Sequence, residues 1–159
     1  MSHDARAVTI HPLKPVVLVV HFDAPPQRVW AALADLRSHP EWMADAGTIE
    51  FLGAQTRGPG TRMRVPTRVG PFQATDVMKV VEWEEGRLIA VDHQGAISGR
   101  GRFEISPSGS GTRLRWSESL RFPWWMGGPL GVLAARPVLK RVWRGNLERL
   151  RERLEVSGP

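Results

Sequence analysis

Glu118 is the residue of this chain best placed to do chemistry. It stands in Thr112–Phe122, where Arg113, Arg115, Ser117, Ser119 and Arg121 alternate with Leu114, Trp116, Glu118, Leu120 and Phe122. A period of two marks a half-buried strand. It puts Glu118 on the apolar side, between Trp116 and Leu120. A carboxylate facing an apolar interior is costly unless it is paired or protonated. Such a group can act as a general acid or base, or anchor a ligand by a hydrogen bond. The structural alternative is a buried Glu held by an arginine or by backbone groups near the end of the first helix. His93 and Asp76 are the next candidates. In Arg87–Gln94, His93 shares a phase with Ile89 and Val91; in Phe72–Trp83, Asp76 shares one with Ala74, Met78 and Val80. Both phases are the apolar ones. Together the three make a polar cluster in an apolar pocket, the composition of a small-molecule site. A bulge or a phase slip at the strand ends would instead leave His93 and Asp76 in solvent. No HxxxH-like spacing accompanies His93, and the chain has no cysteine. No metal and no cofactor are expected.

The strands that carry these residues also supply a candidate ligand wall. Met63 and Val65 take the inward phase of Thr61–Val69, opposite Arg62, Arg64 and Arg68. Met78, Val91 and Trp116 point the same way from the following strands. Gly99 and Gly101 lie in the inward phase of Ala96–Ser106, with Ile97, Phe103 and Ile105. Glycine inside a strand marks a bend or a close approach. Here the missing side chains leave ligand volume, or let the sheet coil tightly. Gly95 precedes this strand.

The element that must cover the wall is the last helix, Pro129–Glu155. Gly127-Gly128 followed by Pro129 is its start signal. Leu139, Val142, Trp143, Leu147, Leu150 and Leu154 draw one apolar stripe. Val138 and Val142 are expected to face the ligand, and Pro137 to kink the helix. Trp124, Trp125 and Met126 occupy the loop before it. Trp125 is expected at the ligand as part of a lid or a plug, ahead of a contact with a membrane interface.

Earlier in the chain, Val16–Asp23 is a β-branched run and reads as a strand. Pro25-Pro26 opens a helix with Val29, Trp30, Leu33 and Leu36 buried. A second short helix is expected around Ser38–Met43, and a strand at Thr48–Gln55. Turns at Arg57–Gly60, Gly70-Pro71, Glu85-Gly86 and Pro107–Gly111 separate the later strands. The order is strand, two helices, six strands, long helix. Consecutive strands with short turns give an antiparallel sheet with one covered face.

At 159 residues, one domain over residues 16–155 is expected, with an N-terminal arm (1–15) and a short tail (156–159). The net charge of +6 comes from 22 Lys+Arg against 16 Asp+Glu, and only Lys14, Lys79 and Lys140 are lysines. Arg100, Arg102, Arg113 and Arg115 fall on one convex face, diluted by Glu104. No stacking aromatics share that phase, so a solvated face is expected rather than a nucleic-acid surface. The N-terminus lacks a signal peptide's apolar core, and Val16–Phe22 is too short to span a bilayer. A cytoplasmic protein without stable membrane insertion is expected, as a monomer or homodimer.

The stretch DAPPQRVWAALADLRSHPEW (Asp23–Trp42) resembles the helix-grip superfamily that includes START lipid-transfer domains and the birch-pollen allergen. GPGTRMRV, VVEWEEGRLIAV and GSGTRLRWSESLRF support the likeness. Within that superfamily the chain looks like the polyketide cyclase/dehydrase type. The resemblance implies an α+β helix-grip fold: a curved seven-stranded antiparallel sheet around a long C-terminal helix, with two short helices between strands 1 and 2. It implies a small hydrophobic ligand, such as a lipid, polyketide or isoprenoid. It also admits a cyclase, aromatase or dehydratase, or a module that binds a protein partner. A cyclase can act mainly by folding a flexible substrate into a reactive geometry.

Overall fold

The computed structural model of the chain describes residues 13–156. Most of the expected arm, and the tail beyond Val156, lie outside the described residues. Seven strands form one antiparallel sheet in the order β1-β7-β6-β5-β4-β3-β2. They are β1 (Val16–Phe22), β2 (Glu50–Phe51), β3 (Arg62–Val69), β4 (Phe72–Glu84), β5 (Leu88–Gln94), β6 (Ser98–Ser108) and β7 (Gly111–Arg121). Helix α1 (Pro26–Ala34) and a 3-10 segment (Leu36–Glu41) lie between β1 and β2, and α2 (Gly128–Val156) closes the chain. This is the curved sheet and long helix expected.

Each element follows from its residues. Val16, Leu18 and Phe22 of β1 are buried, and β1 docks on β7 with Val16 opposite Glu118. Pro26 starts α1, where its missing N–H is one of the donors that a first turn leaves free. Val29, Trp30 and Leu33 then face inward. In α2 the buried stripe is Leu139, Trp143, Leu147, Leu150 and Leu154. These side chains share one core with α1 and with Leu114 and Trp116 of β7. The Trp116 and Trp143 rings stack at 5.1 Å, tying helix to sheet. Pro137 sits inside α2 without dividing it.

Three boundaries differ from the sequence reading. The strand expected at Thr48–Gln55 pairs only at Glu50 and Phe51. Gly53 takes φ 135° just beyond, a left-handed conformation that turns the chain off the sheet edge. The second short helix is a 3-10 segment over Leu36–Glu41 rather than Ser38–Met43. Ser38 does not cap it; its hydroxyl donates back to the Asp35 carbonyl at 2.9 Å. β6 begins at Ser98, because Gly95–Ile97 form the turn from β5. Three of the convex arginines are ion-paired rather than free. Arg100 holds Asp92 at 2.7 Å, Arg102 reaches Glu82 and Glu104, and Arg115 reaches Glu104.

Candidate functional site

Between sheet and α2 lies a cavity of about 160 Å³. Its wall is mainly apolar, with Ile49, Met63, Val65, Met78, Val91, Phe103, Trp116 and Trp143 contributing. Ionisable side chains interrupt it: His39, Asp45, Asp76, His93 and Glu118.

Glu118 is buried and accepts two contacts. The Trp116 indole N–H donates to Oε1 at 2.9 Å, and His93 Nε2 lies 3.2 Å from Oε2. His93 belongs to β5 and Glu118 to β7, with β6 between them. Strands two apart are separated by roughly 9.5 Å, too far for direct contact over an ordinary side chain. The register explains how they meet. Gly99 faces His93, and Gly101 faces Glu118. A Cβ on Gly101 would stand 2.4 Å from Glu118 Oε1. The space left by this glycine is therefore filled by the Glu118 carboxylate, not left for a ligand. Gly99 has φ 143° and a Cβ there would strike the Ser119 carbonyl, so its role is in the backbone.

Asp76 is set by the same device. A Cβ on Gly95 would lie 1.7 Å from Asp76 Oδ1. The Ala96 amide donates to the carboxylate, which thereby braces the β5–β6 turn. Oδ1 is buried and has no hydrogen-bond partner. Burial pushes the Asp76 carboxyl above its ordinary value, against the pull of the His93 charge and the Ala96 amide. Burial alone would depress His93. The hydrogen bond and charge of Glu118, with the charges of Asp76 and Asp92, outweigh it and hold His93 above 6.5. The cluster thus holds a carboxyl biased toward its protonated form beside an imidazole biased toward imidazolium.

Two buried polar residues near the cavity were not singled out from the sequence. His39 is buried, with its Nε2 2.8 Å from the Leu33 carbonyl and its ring edge-on to Trp42 and Phe103. Burial lowers its pKa to about 4, so the ring is neutral and donates that bond. Asn146, fully buried in α2, accepts from the Ala44 amide at 3.0 Å and donates to Asp45 at 2.6 Å. It pins the loop that forms one rim of the cavity. The available signal was an amide amid the apolar stripe of Trp143, Leu147 and Leu150.

The candidate wall residues divide. Met63, Val65, Met78, Val91, Gly101 and Trp116 lie on the cavity. Val138, Val142, Trp125 and Gly99 do not. Val138 is 52% exposed, because its neighbour Leu139 carries the inward stripe and successive helical residues are about 100° apart. Val142 packs on the core at one side. Trp124 and Trp125 sit in a 3-10 turn, Trp124–Met126, and are 87% and 61% exposed. A plug is therefore ruled out; positive φ at Gly127 and Gly128 turns α2 inward and leaves the tryptophans outside.

A second, open cleft of about 850 Å³ lies at one end of the sheet. It shares His93, Leu120 and Phe122 with the inner cavity, and is otherwise bounded by residues such as Arg100, Arg121, Pro129 and Val132. These shared residues form the partition between the two spaces. Among the described residues no His, Asp or Glu cluster is arranged to hold a metal ion. No helix among them is long and apolar enough to cross a membrane.

Solved structures share this architecture. TTHA0849 from Thermus thermophilus superposes with a TM-score of 0.74 at 20% identity, covering 91% of this chain and 99% of its own. A START superfamily protein from Mycobacterium smegmatis gives 0.75 at 16% identity, covering 90% and 98%. DR_A0006 from Deinococcus radiodurans gives 0.67 at 18%, covering 91% and 99%. At these identities the likeness is one of fold. No curated protein matches the sequence. The model of the family described as polyketide cyclase / dehydrase and lipid transport matches residues 15–155. Nearly the whole chain, cavity and polar cluster included, falls within that match, and the protein belongs to this family of the helix-grip superfamily.

Proposed function

We propose that the protein binds a small apolar molecule bearing one carbonyl or hydroxyl group, held in the cavity beneath α2. The observation that carries this reading is the Asp76 carboxyl, a buried acid in an otherwise apolar wall whose Oδ1 has no hydrogen-bond partner. An unsatisfied buried polar atom costs about 1–3 kcal/mol. A ligand hydroxyl could donate to the Asp76 carboxylate, or a protonated Asp76 could donate to a ligand carbonyl. The present volume suits a single ring, being close to that of a dry protein cavity known to accept benzene. Larger members of the lipid or polyketide class would need α2 or the flexible Met63 and Met78 side chains to give way.

Methionine methyl NMR offers a direct test. Met43, Met63 and Met78 line the cavity, while Met126 does not. Acetophenone should shift the first three resonances and spare the last. Asp76→Ala should weaken acetophenone more than toluene, which has no polar group. Unmoved cavity methyls at millimolar acetophenone would refute the reading.

A second reading is catalytic, and a specific pairing favours it. Asp76 is biased toward a proton donor, and the His93–Glu118 pair stands beside it. Such a set could polarise a ketone through the Asp76 carboxyl while the Glu118 carboxylate, hydrogen-bonded to His93, takes up a proton from its α-carbon, the step a cyclase or dehydratase needs. Deuterium uptake into a bound ketone, lost in His93→Gln, would distinguish turnover from carriage.

A further inference from the structure

We propose that the protein docks reversibly on anionic lipid bilayers through the outer face of α2 and the turn before it. The buried stripe of α2 has an unexpected counterpart on the opposite side. Leu130, Leu133, Ala134, Pro137 and Val138 are all exposed, at the spacing of a second helical stripe. Trp124 and Trp125 extend this apolar face at its N-terminal end. Lys140, Arg141 and Arg144 continue it at the other end, exposed and without a carboxylate partner among the described residues. From Ser119 to Leu147 the sequence contains no Asp or Glu.

Charge decides between occupants. A second copy of this chain would bring two uncompensated basic clusters together. An anionic bilayer supplies the opposite charge and the apolar layer at once. Tryptophans at the edge of an apolar strip match the boundary between headgroups and acyl chains, and cations beside it match acidic headgroups. The face also adjoins the open cleft, whose rim includes Phe122, Pro129 and Val132. Docked this way, the cleft would open toward the membrane, with His93, Leu120 and Phe122 between it and the cavity. That routing rests on the ligand-binding reading above; the docking itself does not.

The test uses the full chain and sedimentation with phosphatidylglycerol–phosphatidylcholine vesicles, against pure phosphatidylcholine. Binding to the anionic vesicles, a blue shift of tryptophan emission and release by high salt are expected. Lys140→Gln/Arg141→Gln/Arg144→Gln should weaken binding about 100-fold, since each surface cation contributes roughly fivefold. Trp124→Ser/Trp125→Ser should abolish the blue shift. Both variants should keep the wild-type melting temperature and acetophenone response, which separates this proposal from the cavity reading. Absence of binding to anionic vesicles would overturn it. So would a mass by light scattering twice that of one chain that returns to one chain in Trp124→Ser/Trp125→Ser, because the face would then belong to a second copy.

Discussion

Glu118→Gln should change how stability depends on pH more than it changes stability itself. Gln keeps the shape of the side chain, and its amide oxygen can still accept from the Trp116 indole. Its NH2 group then faces His93 Nε2, which a neutral imidazole can tolerate as an acceptor. What disappears is the negative charge beside His93. In the wild type His93 is held above 6.5, so the folded state binds this proton more tightly than the unfolded chain does. That stabilisation is fully present below about pH 6.5 and is lost as pH rises through the folded value. Without Glu118, burial is the largest remaining influence on His93, and it acts in the opposite direction. The two proteins should therefore melt close together at alkaline pH and diverge on acidification. A hydrogen bond to a charged group is worth about 1.5–3 kcal/mol, and each kcal/mol moves Tm by roughly 2–4 °C in a domain of this size. The gap should grow by roughly 3–12 °C. Calorimetric scans at matched ionic strength from about pH 8 to about pH 5 would show it. A gap that stays constant, or narrows toward acid, would refute the assignment of His93 and Glu118 as a charge-coupled pair.

Two further outcomes are expected. Trp30 is buried, meets Trp83 edge-on at 5.5 Å and donates to Glu85 at 2.8 Å, so Trp30→Ala should cost roughly 3–5 kcal/mol in urea unfolding, with Trp30→Phe recovering most of it; a Trp30→Ala protein melting within a degree or two of wild type would contradict this. His39 titrates near 4 in the fold against 6.5 when unfolded, so acidification through that window should remove about 3 kcal/mol of stability, and His39→Gln should flatten the loss.

Much of this was legible in the sequence because it rests on periodicity. The alternation in Thr112–Phe122 placed Glu118 inside, and the same rule placed Asp76 and His93. The buried stripe of α2 was likewise readable. What was not legible depends on register across strands. Nothing local shows that Gly101 stands opposite Glu118, or that Gly95 lies against Asp76, and so the strand glycines read as ligand volume or as room for the sheet to coil tightly. Val138 was misassigned because an apolar residue next to an apolar stripe looks like part of it. A shift of 100° per residue decides otherwise. Trp124 and Trp125 read as plug or lid because bulky aromatics usually bury their area. His39 was invisible as a site residue because a 3-10 segment has neither the period of a strand nor that of an α-helix.

Stability alone does not account for the cluster. Glycines at positions 95 and 101 forgo side-chain packing, and inside β6, at Gly101, this weakens the strand. The three ionisable groups are each taken largely out of water. The Ala96 amide favours the Asp76 carboxylate at the β5–β6 turn, which is a structural task. Oδ1 remains without a hydrogen-bond partner, in a carboxyl beside the only imidazole that couples to Glu118 among the described residues. An amide or hydroxyl could brace the same turn without the carboxylate's desolvation cost. These unfavourable features converge on one wall of one apolar cavity rather than being scattered through the core. That convergence is what a binding site for a polar group requires, and it is the physical reason for reading the cavity as a site rather than a packing defect.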